Sequence, residues 1–404
     1  MIVWNSFQND ARVLKEAQTL ARAGFDVTVY ALRDSVDMPK VECVESRLTV
    51  LRFGRVLPKV SAATRIDNVS PLRLGIFRSL AMLVKLSSEG ASRILVQAKM
   101  LVSLVKRQPE YVHSHDVDTL PLAWLAGRLI RGKLIYDAHE ISVSREGYRD
   151  IGRFVGCIEK WLMPRADACI TTTSMRAKFF ARAYSVPRPI VLENRPRFTK
   201  IIKNEKIRRT LGLKEPFPIV LYQGGLQPGR GLETLVRAFK DVPTAYLVCI
   251  GGGSIGERLK EIVKTESIYD RVFFIPTVPL VDLPEYTASA DIGVQPIENT
   301  CLNHYTTDSN KLFEYIVAGL PVVASNLPEI ARIVRENDLG RVVKSGSAEE
   351  LASALALLVN DKAKREYYAS RARQAARELN WESQESRLEG CYGSFSSCSG
   401  DIVG

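Results

Sequence analysis

Two series of short, unbroken apolar runs, each run parted from the next by a longer stretch of helical character, constrain this chain more than any other feature. The first series is Val27 to Ala31, Tyr111 to Ser114, Leu134 to Tyr136 and Ala168 to Thr171. The second is Ile219 to Tyr222, Tyr246 to Ile250, Val272 to Ile275, Ile292 to Val294 and Pro321 to Ala324. A strand that is apolar at consecutive positions needs cover on both faces, which a parallel sheet flanked by helices provides. The pattern predicts an α/β chain made of two doubly wound, Rossmann-like domains.

The segment from Asn194 to Lys214 holds Pro196, several Lys/Arg and few apolar residues, as a linker and the entry to a new domain would. The predicted domains are 1–196 and 197–370, with a hinge near 194–204. Residues 371–404 are expected to form a C-terminal helix returning toward the first domain. The charged stretch Asp361 to Leu388 supplies that helix, Trp381 anchors it, and the Ser/Gly-rich tail from Gly393 frays.

Charge is unevenly placed. The chain carries +11 overall, yet residues 1–200 hold 32 Lys/Arg against 19 Asp/Glu, leaving a slightly acidic remainder. Whatever the positive charge serves belongs to the first half, and an anionic membrane surface or anionic acceptor fits it. No nucleic-acid module or basic groove interleaved with aromatics is apparent, so nucleic acid is not expected as a partner. Residues 72–107 read as helix with seven Lys/Arg and one acid, Glu89. Such a segment either lies on an anionic membrane or packs as ordinary surface helices on the first sheet.

Seven scattered cysteines without a C-x-x-C pair suggest reduced thiols. The start lacks the regions of a signal peptide, and no apolar run is long enough to span a bilayer. The expected location is cytoplasmic, with a peripheral place at the inner face of the cell membrane as the alternative.

Ligands of doubly wound sheets sit beyond the carboxyl ends of strands, so polar residues directly after strand runs are the candidates. The turn Gly224-Gly225-Leu226-Gln227-Pro228-Gly229-Arg230-Gly231 lies between a strand and a helix. Its glycines let backbone N–H groups approach a phosphate, and Arg230 can fork onto phosphate oxygens, although a plain βα turn reads the same way. A second candidate, Asp308-Ser309-Asn310-Lys311-Leu312-Phe313-Glu314, predicts a short helix capped by Asp308 or Ser309. Its N-terminus and Lys311 suit a diphosphate, and Glu314, one turn in, suits two ribose hydroxyls. Gly251 and Gly253 form a further turn expected to face the same crevice.

Of four histidines, His113 and His115 close one predicted strand and His139 follows the next. His115 and His139 should therefore be neighbours at one sheet edge. They suit an acid/base pair or donors to a sugar better than a metal site, whose usual zinc spacing is missing.

With these pieces in place, the chain resembles the retaining GT-B glycosyltransferases of the group 1, or family 4, type over nearly its whole length. Asn9-Asp10-Ala11-Arg12 looks like the family's opening loop and first helix, and His113-Ser114-His115-Asp116 and Asp137-Ala138-His139-Glu140 like its two histidine-bearing strand ends. The resemblance implies two Rossmann-like domains facing a cleft, with a nucleotide-sugar donor on the second and a saccharide or lipid-linked saccharide acceptor on the first. Donor contacts fall on Gly224, Gly225, Arg230, Gly251, Gly253, Ser309, Asn310, Lys311, Leu312 and Glu314. Acceptor or sugar contacts fall on Asn9, Asp10, Arg12, His115, Asp116, His139, Glu140, Asn303 and His304. His115, His139, Arg230 and Lys311 would carry catalysis, with no metal or other cofactor required.

Two departures from the family pattern stand out. Gly225 occupies the place of one of two cations, and Thr306 that of the first of two glutamates, with Asn303, His304 and Asp308 nearby as substitutes. The implied activity is transfer for cell-surface polysaccharide or glycoconjugate synthesis. A nucleotide-sugar epimerase or an inactive binding protein on the same fold are the alternatives.

Overall fold

The computed structural model describes residues 1–54, 90–145, 151–200 and 202–396. The chain forms two compact units. One comprises Met1–His139, Arg153–Ile170 and Tyr184–Val186, and the other Glu140–Gly152, Thr171–Ala183 and Pro187–Gly404.

In the first unit, α1 (Ala11–Arg22) precedes β1 (Val27–Arg33), β2 (Val41–Glu45) and β3 (Leu48–Gly54), ordered β1-β3-β2. A helix over 90–107, α2, leads to β4 (Tyr111–His115), α3 (Leu120–Ile130), β5 (Lys133–Ala138), α4 (Gly152–Leu162) and β6 (Ala168–Thr171). Strands β4 and β5 are parallel, and Ile2 bridges to both Tyr30 and Ser114, joining the two strand groups. Asp10 caps α1 by accepting the Val13 N–H at 3.1 Å, as a helix N-terminus requires.

Only part of the basic stretch 72–107 falls within the described residues. There, α2 turns Val96, Met100 and Leu104 inward at four-residue spacing, and exposes Ile94, Leu95, Val102, Lys99, Lys106 and Arg107. Its inner face thus packs as an ordinary amphipathic helix.

Next in sequence come α5 (Ser174–Tyr184), β7 (Ile190–Val191) and α6 (Lys206–Leu211). The second unit's sheet contains β8 (Ile219–Gln223), β9 (Tyr246–Ile250), β10 (Val272–Ile275), β11 (Ile292–Gln295), β12 (Val322–Ser325) and β13 (Gly340–Val343). Helices α7 (Leu232–Ala238), α8 (Gly256–Thr265), α9 (Leu283–Ala288), α10 (Leu302–Tyr305), α11 (Asn310–Val317), α12 (Pro328–Glu336) and α13 (Ala348–Asn360) alternate with them. The strand order β10-β9-β8-β11-β12-β13, parallel throughout, is a doubly wound sheet whose order reverses between β8 and β11.

The unbroken apolar strands feed two cores. Val220 and Tyr222 of β8 join Leu235, Leu259 and Leu355 on one face, while Ile219 and Leu221 join Leu312, Ile316 and Ile330 on the other.

The predicted single charged helix at the C-terminus is instead two, α14 (Lys362–Ala375) and α15 (Glu385–Ser396). Asn380 accounts for the break: its side-chain amide donates to the carbonyls of Ala376 and Arg377, and its side-chain oxygen accepts the Ser383 N–H. Trp381 is fully buried between the two helices, and its N–H donates to Pro196 O at 2.8 Å. Residues 393–396 continue α15 and are not frayed, while 397–404 lie outside the described residues.

Candidate functional site

Beyond β8, at the reversal of strand order, the second unit gathers two cations, a carboxylate and a helix N-terminus. Gly224 has φ +124°, and where its Cβ would stand the Lys311 Nζ lies 3.4 Å away. A side chain there would displace the lysine. Lys311 is buried and its Nζ sits 4.9 Å from the centre of the Tyr222 ring. Burial, then the nearby Arg230 charge, pushes the Lys311 ammonium down to about 7, with Glu314 opposing. Two like charges held together in a sheltered place call for an anion between them.

Helix α11 has no side-chain cap. Neither Asp308 nor Ser309 plays the predicted capping part. Ser309 holds φ 57° and ψ 127°, strained for a non-glycine residue, and Asp308 is buried, its carboxyl raised to about 7 by burial and then by Glu193. The helix end therefore keeps the Asn310 and Lys311 N–H groups for a ligand, while that of Leu312 donates to Ser309 O at 3.1 Å. Asn310 is exposed at that end, whereas the Leu312 side chain lies in the core, away from a donor.

Glu314 accepts a hydrogen bond from Gln223 Nε2, and Gln223 Oε1 accepts one from Thr287 at 2.8 Å. Gln223 thus orients Glu314, a role the sequence reading missed. Its signal was a polar residue ending an otherwise apolar strand. Gly251 and Gly253 serve packing, since a Cβ on either would strike the carbonyl of Gly224 or of Leu226. Gly225 offers its carbonyl to the Tyr222 hydroxyl at 2.9 Å.

Thr306 does not stand open to a ligand. Its hydroxyl donates to Leu302 O at 2.8 Å and accepts from Arg176 Nε at 3.3 Å. Asn303 is likewise engaged at both ends by Ile141, accepting its N–H at 2.8 Å and donating to its carbonyl at 3.1 Å. His304 pairs with Thr300 at 2.8 Å and abuts Gly229, which places it beside the Gly224–Gly231 turn. Glu140 faces Arg145 at 3.6 Å. A separate cavity of about 870 Å³ lies against α5 and α12, lined by Lys178, Arg182, Arg188 and Arg332, and holds none of Arg230, Lys311 and Glu314.

The first unit brings the histidines together with buried charges. His115 Nδ1 lies 3.3 Å from His139 Nε2, and His113 stacks on His115 at 4.3 Å. Arg12, assigned to a sugar by resemblance, is instead enclosed. Its guanidinium donates to both oxygens of Asp137 at 2.8 and 3.0 Å and pairs with Glu16 at 3.0 Å. Burial works against ionisation of Asp137, yet Arg12 and His139 hold it well below the usual carboxylate range. Burial and the Asp137 charge raise Glu16.

Burial lowers His115, and it lowers His139 too, but there Asp116 and Asp137 prevail and lift the imidazolium to about 9. His139 is partly exposed while His115 is enclosed, so His139 presents the charge and His115 steadies it. Glu16, His113, His115 and Asp137 cluster closely enough to hold a metal, but Arg12 and His139 already balance their charge. Asn9 and Asp10 line a cavity of about 270 Å³ in the loop before α1.

Fold and site together define a nucleotide-binding doubly wound protein. The family model "Glycosyl transferases group 1" matches residues 203–375 and "Glycosyl transferase 4-like domain" matches 10–194. A D-inositol 3-phosphate glycosyltransferase of Xylanimonas cellulosilytica is 23% identical, over 94% of this chain and 90% of that protein. A GDP-mannose-dependent alpha-(1-6)-phosphatidylinositol monomannoside mannosyltransferase of Mycobacterium tuberculosis is 31% identical over 36% of this chain and 39% of its own. Among solved structures, HepE of Anabaena with UDP-glucose superposes with a TM-score of 0.71 at 16% identity, covering 97% of this chain and 98% of that one. The chain belongs to the group 1 glycosyltransferases of GT-B fold and is a sugar transferase.

Proposed function

We propose that this protein is a retaining transferase that draws a hexosyl group from a nucleoside-diphosphate sugar and needs no divalent metal. The observation that carries this reading is the meeting of Arg230, Lys311 and Glu314 at the uncapped start of α11, where strand order reverses. Arg230, Lys311 and the α11 N–H groups would hold the diphosphate, and Glu314, steadied by Gln223, the ribose hydroxyls. As the bond from C1 to the leaving phosphate oxygen breaks, these fixed positive groups stabilise the charge that develops on it. The acceptor oxygen joins C1 on the same face and its proton passes to the leaving phosphate.

Relatives named for GDP-mannose and solved with UDP-glucose support a nucleotide-hexose donor. The His139 imidazolium suits a sugar hydroxyl. The acceptor is a saccharide or lipid-linked saccharide for cell-surface glycoconjugates. The basic first half favours a peripheral place at the cytoplasmic face of the membrane, and no helix among the described residues is long and apolar enough to cross one.

Replacing Glu314 with Ala is expected to weaken nucleoside-diphosphate binding by roughly ten- to a hundredfold, because a charged acceptor of hydrogen bonds contributes about 1.5–3 kcal/mol. Calorimetric titration checks this. Equal affinity in the variant and the parent would remove Glu314 from the ribose.

A further inference from the structure

Helices α3 and α4 carry a surface that the transferase chemistry does not use. The connection through α3 joins two parallel strands, β4 and β5, and α4 packs beside it through a Trp124–Trp161 contact, ring centres 5.3 Å apart. Outward positions recur at helical spacing on both helices: Leu125, Arg128 and Leu129 on α3, and Arg153, Phe154, Lys160 and Trp161 on α4. Phe154 is 68% exposed, Leu129 57%, Trp161 51% and Leu125 41%, a concentration of bare apolar side chains that water alone does not favour.

Among the described residues, the exposed charges of α3 and α4 have one sign. Helix α3 contains no acid, and the single acid of α4, Glu159, is fully buried, where it accepts hydrogen bonds from Tyr136 at 2.5 Å and Tyr184 at 2.9 Å. Arg128, Arg131, Arg153 and Lys160 have no ion-pair partner among the described residues. Arg165 lies over Trp161, 4.1 Å from the ring centre. Exposed Trp, Phe and Leu on the same two helices as cations that lack an ion-pair partner among the described residues match the two layers of an anionic bilayer surface: apolar groups enter the acyl boundary and cations meet lipid phosphates.

We propose that the outward faces of α3 and α4 form a docking surface for an anionic lipid membrane. The inference rests on the peripheral placement proposed above and assigns it to particular side chains. It differs from the placement on 72–107, since it lies on two helices after β4. A protein partner of matching acidity or a second copy of the chain would bury the same residues, and each is an outcome of the test.

The experiment is co-sedimentation of the full chain with vesicles of phosphatidylcholine alone and of phosphatidylcholine with phosphatidylglycerol, alongside equilibrium sedimentation without lipid. The parent is expected to pellet with the anionic vesicles only. Phe154→Ala, which leaves the Trp124–Trp161 contact intact, should lower partition about tenfold, and Arg153→Gln with Lys160→Gln about fivefold for each charge removed. Nucleotide binding at Glu314 should be unchanged in all of them. Parent binding that these variants leave intact would overturn this surface and spare the peripheral placement. A parent that ignores both vesicle types would overturn both. Equal binding to neutral vesicles would overturn the role of the cations, and a lipid-free dimer abolished by Phe154→Ala would assign the face to self-association.

Discussion

Lys311→Ala lowers the rate of sugar transfer by about 10²–10³-fold, the usual cost of removing one fixed positive group from a developing oxyanion. The size of the effect follows from where the ammonium sits. Lys311 is buried against the Tyr222 ring and the Gly224 backbone, so water screens it poorly and on the proposed reading it would act on a phosphate oxygen at nearly full strength. On the proposed reading Arg230 would meet the same ligand but could not stand in for Lys311, because the family resemblance puts Gly225 where a second cation would be. The same crowding makes the prediction separable from loss of fold. Removing Lys311 relieves its repulsion with Arg230 and the cost of its burial, so the thermal midpoint should stay level or rise while steady-state transfer collapses. A variant that keeps its rate, or that loses rate and stability together, would show that Lys311 holds the structure and not the leaving group.

Arg12→Ala is expected to destabilise the first unit by about 3–5 kcal/mol, the range for stripping one partner from a buried ion pair. The guanidinium is bidentate to Asp137 and also meets Glu16, both fully buried. Its loss strands a carboxylate beside a second acid that is already forced toward the neutral form. Arg12→Lys should recover only part of the loss, because an ammonium cannot span both Asp137 oxygens. Urea denaturation followed by tyrosine and tryptophan fluorescence checks this, and a shift below about 1 kcal/mol would mean the cluster relaxes into water. The family resemblance assigned Arg12 to a sugar. Its burial assigns it to the scaffold that fixes Asp137 and, through it, His139.

Much of the fold was legible because its strands are apolar at every position. The runs at Ala168 to Thr171, Tyr246 to Ile250 and Val272 to Ile275 match the observed strands end to end. Of the strands that escaped, β2 and β13 lie at sheet edges, where one-sided cover weakens the signal, while β3, central between β1 and β2, breaks its apolar run with Thr49 and Arg52. β2 is largely exposed and carries Glu42 and Glu45, and β13 holds Arg341 with an exposed side chain.

At the site, the residues after strands were readable one by one, and their electrical relations were not. Nothing in the order of residues says that Arg230 and Lys311 crowd each other, that Gln223 reaches Glu314, or that Arg176 holds Thr306. Those pairings join elements far apart in sequence and arise from how the sheet is wound. The expected caps at Asp308 and Ser309 failed for the same reason, since the loop from α10 turns Asp308 into the interior.

The most direct test of the account is calorimetric titration of the purified chain with UDP, GDP, ADP and dTDP in the presence of a chelator, repeated at pH 8 in two buffers of different ionisation enthalpy. One nucleotide is expected to bind without metal, with uptake of about one proton at pH 8. The sign follows from Lys311, whose ammonium titrates at about 7 in the ligand-free protein and must be protonated to meet a diphosphate, so affinity falls as pH rises above 7. Failure of every nucleotide to bind, or binding that returns only when a divalent cation is restored, would contradict it.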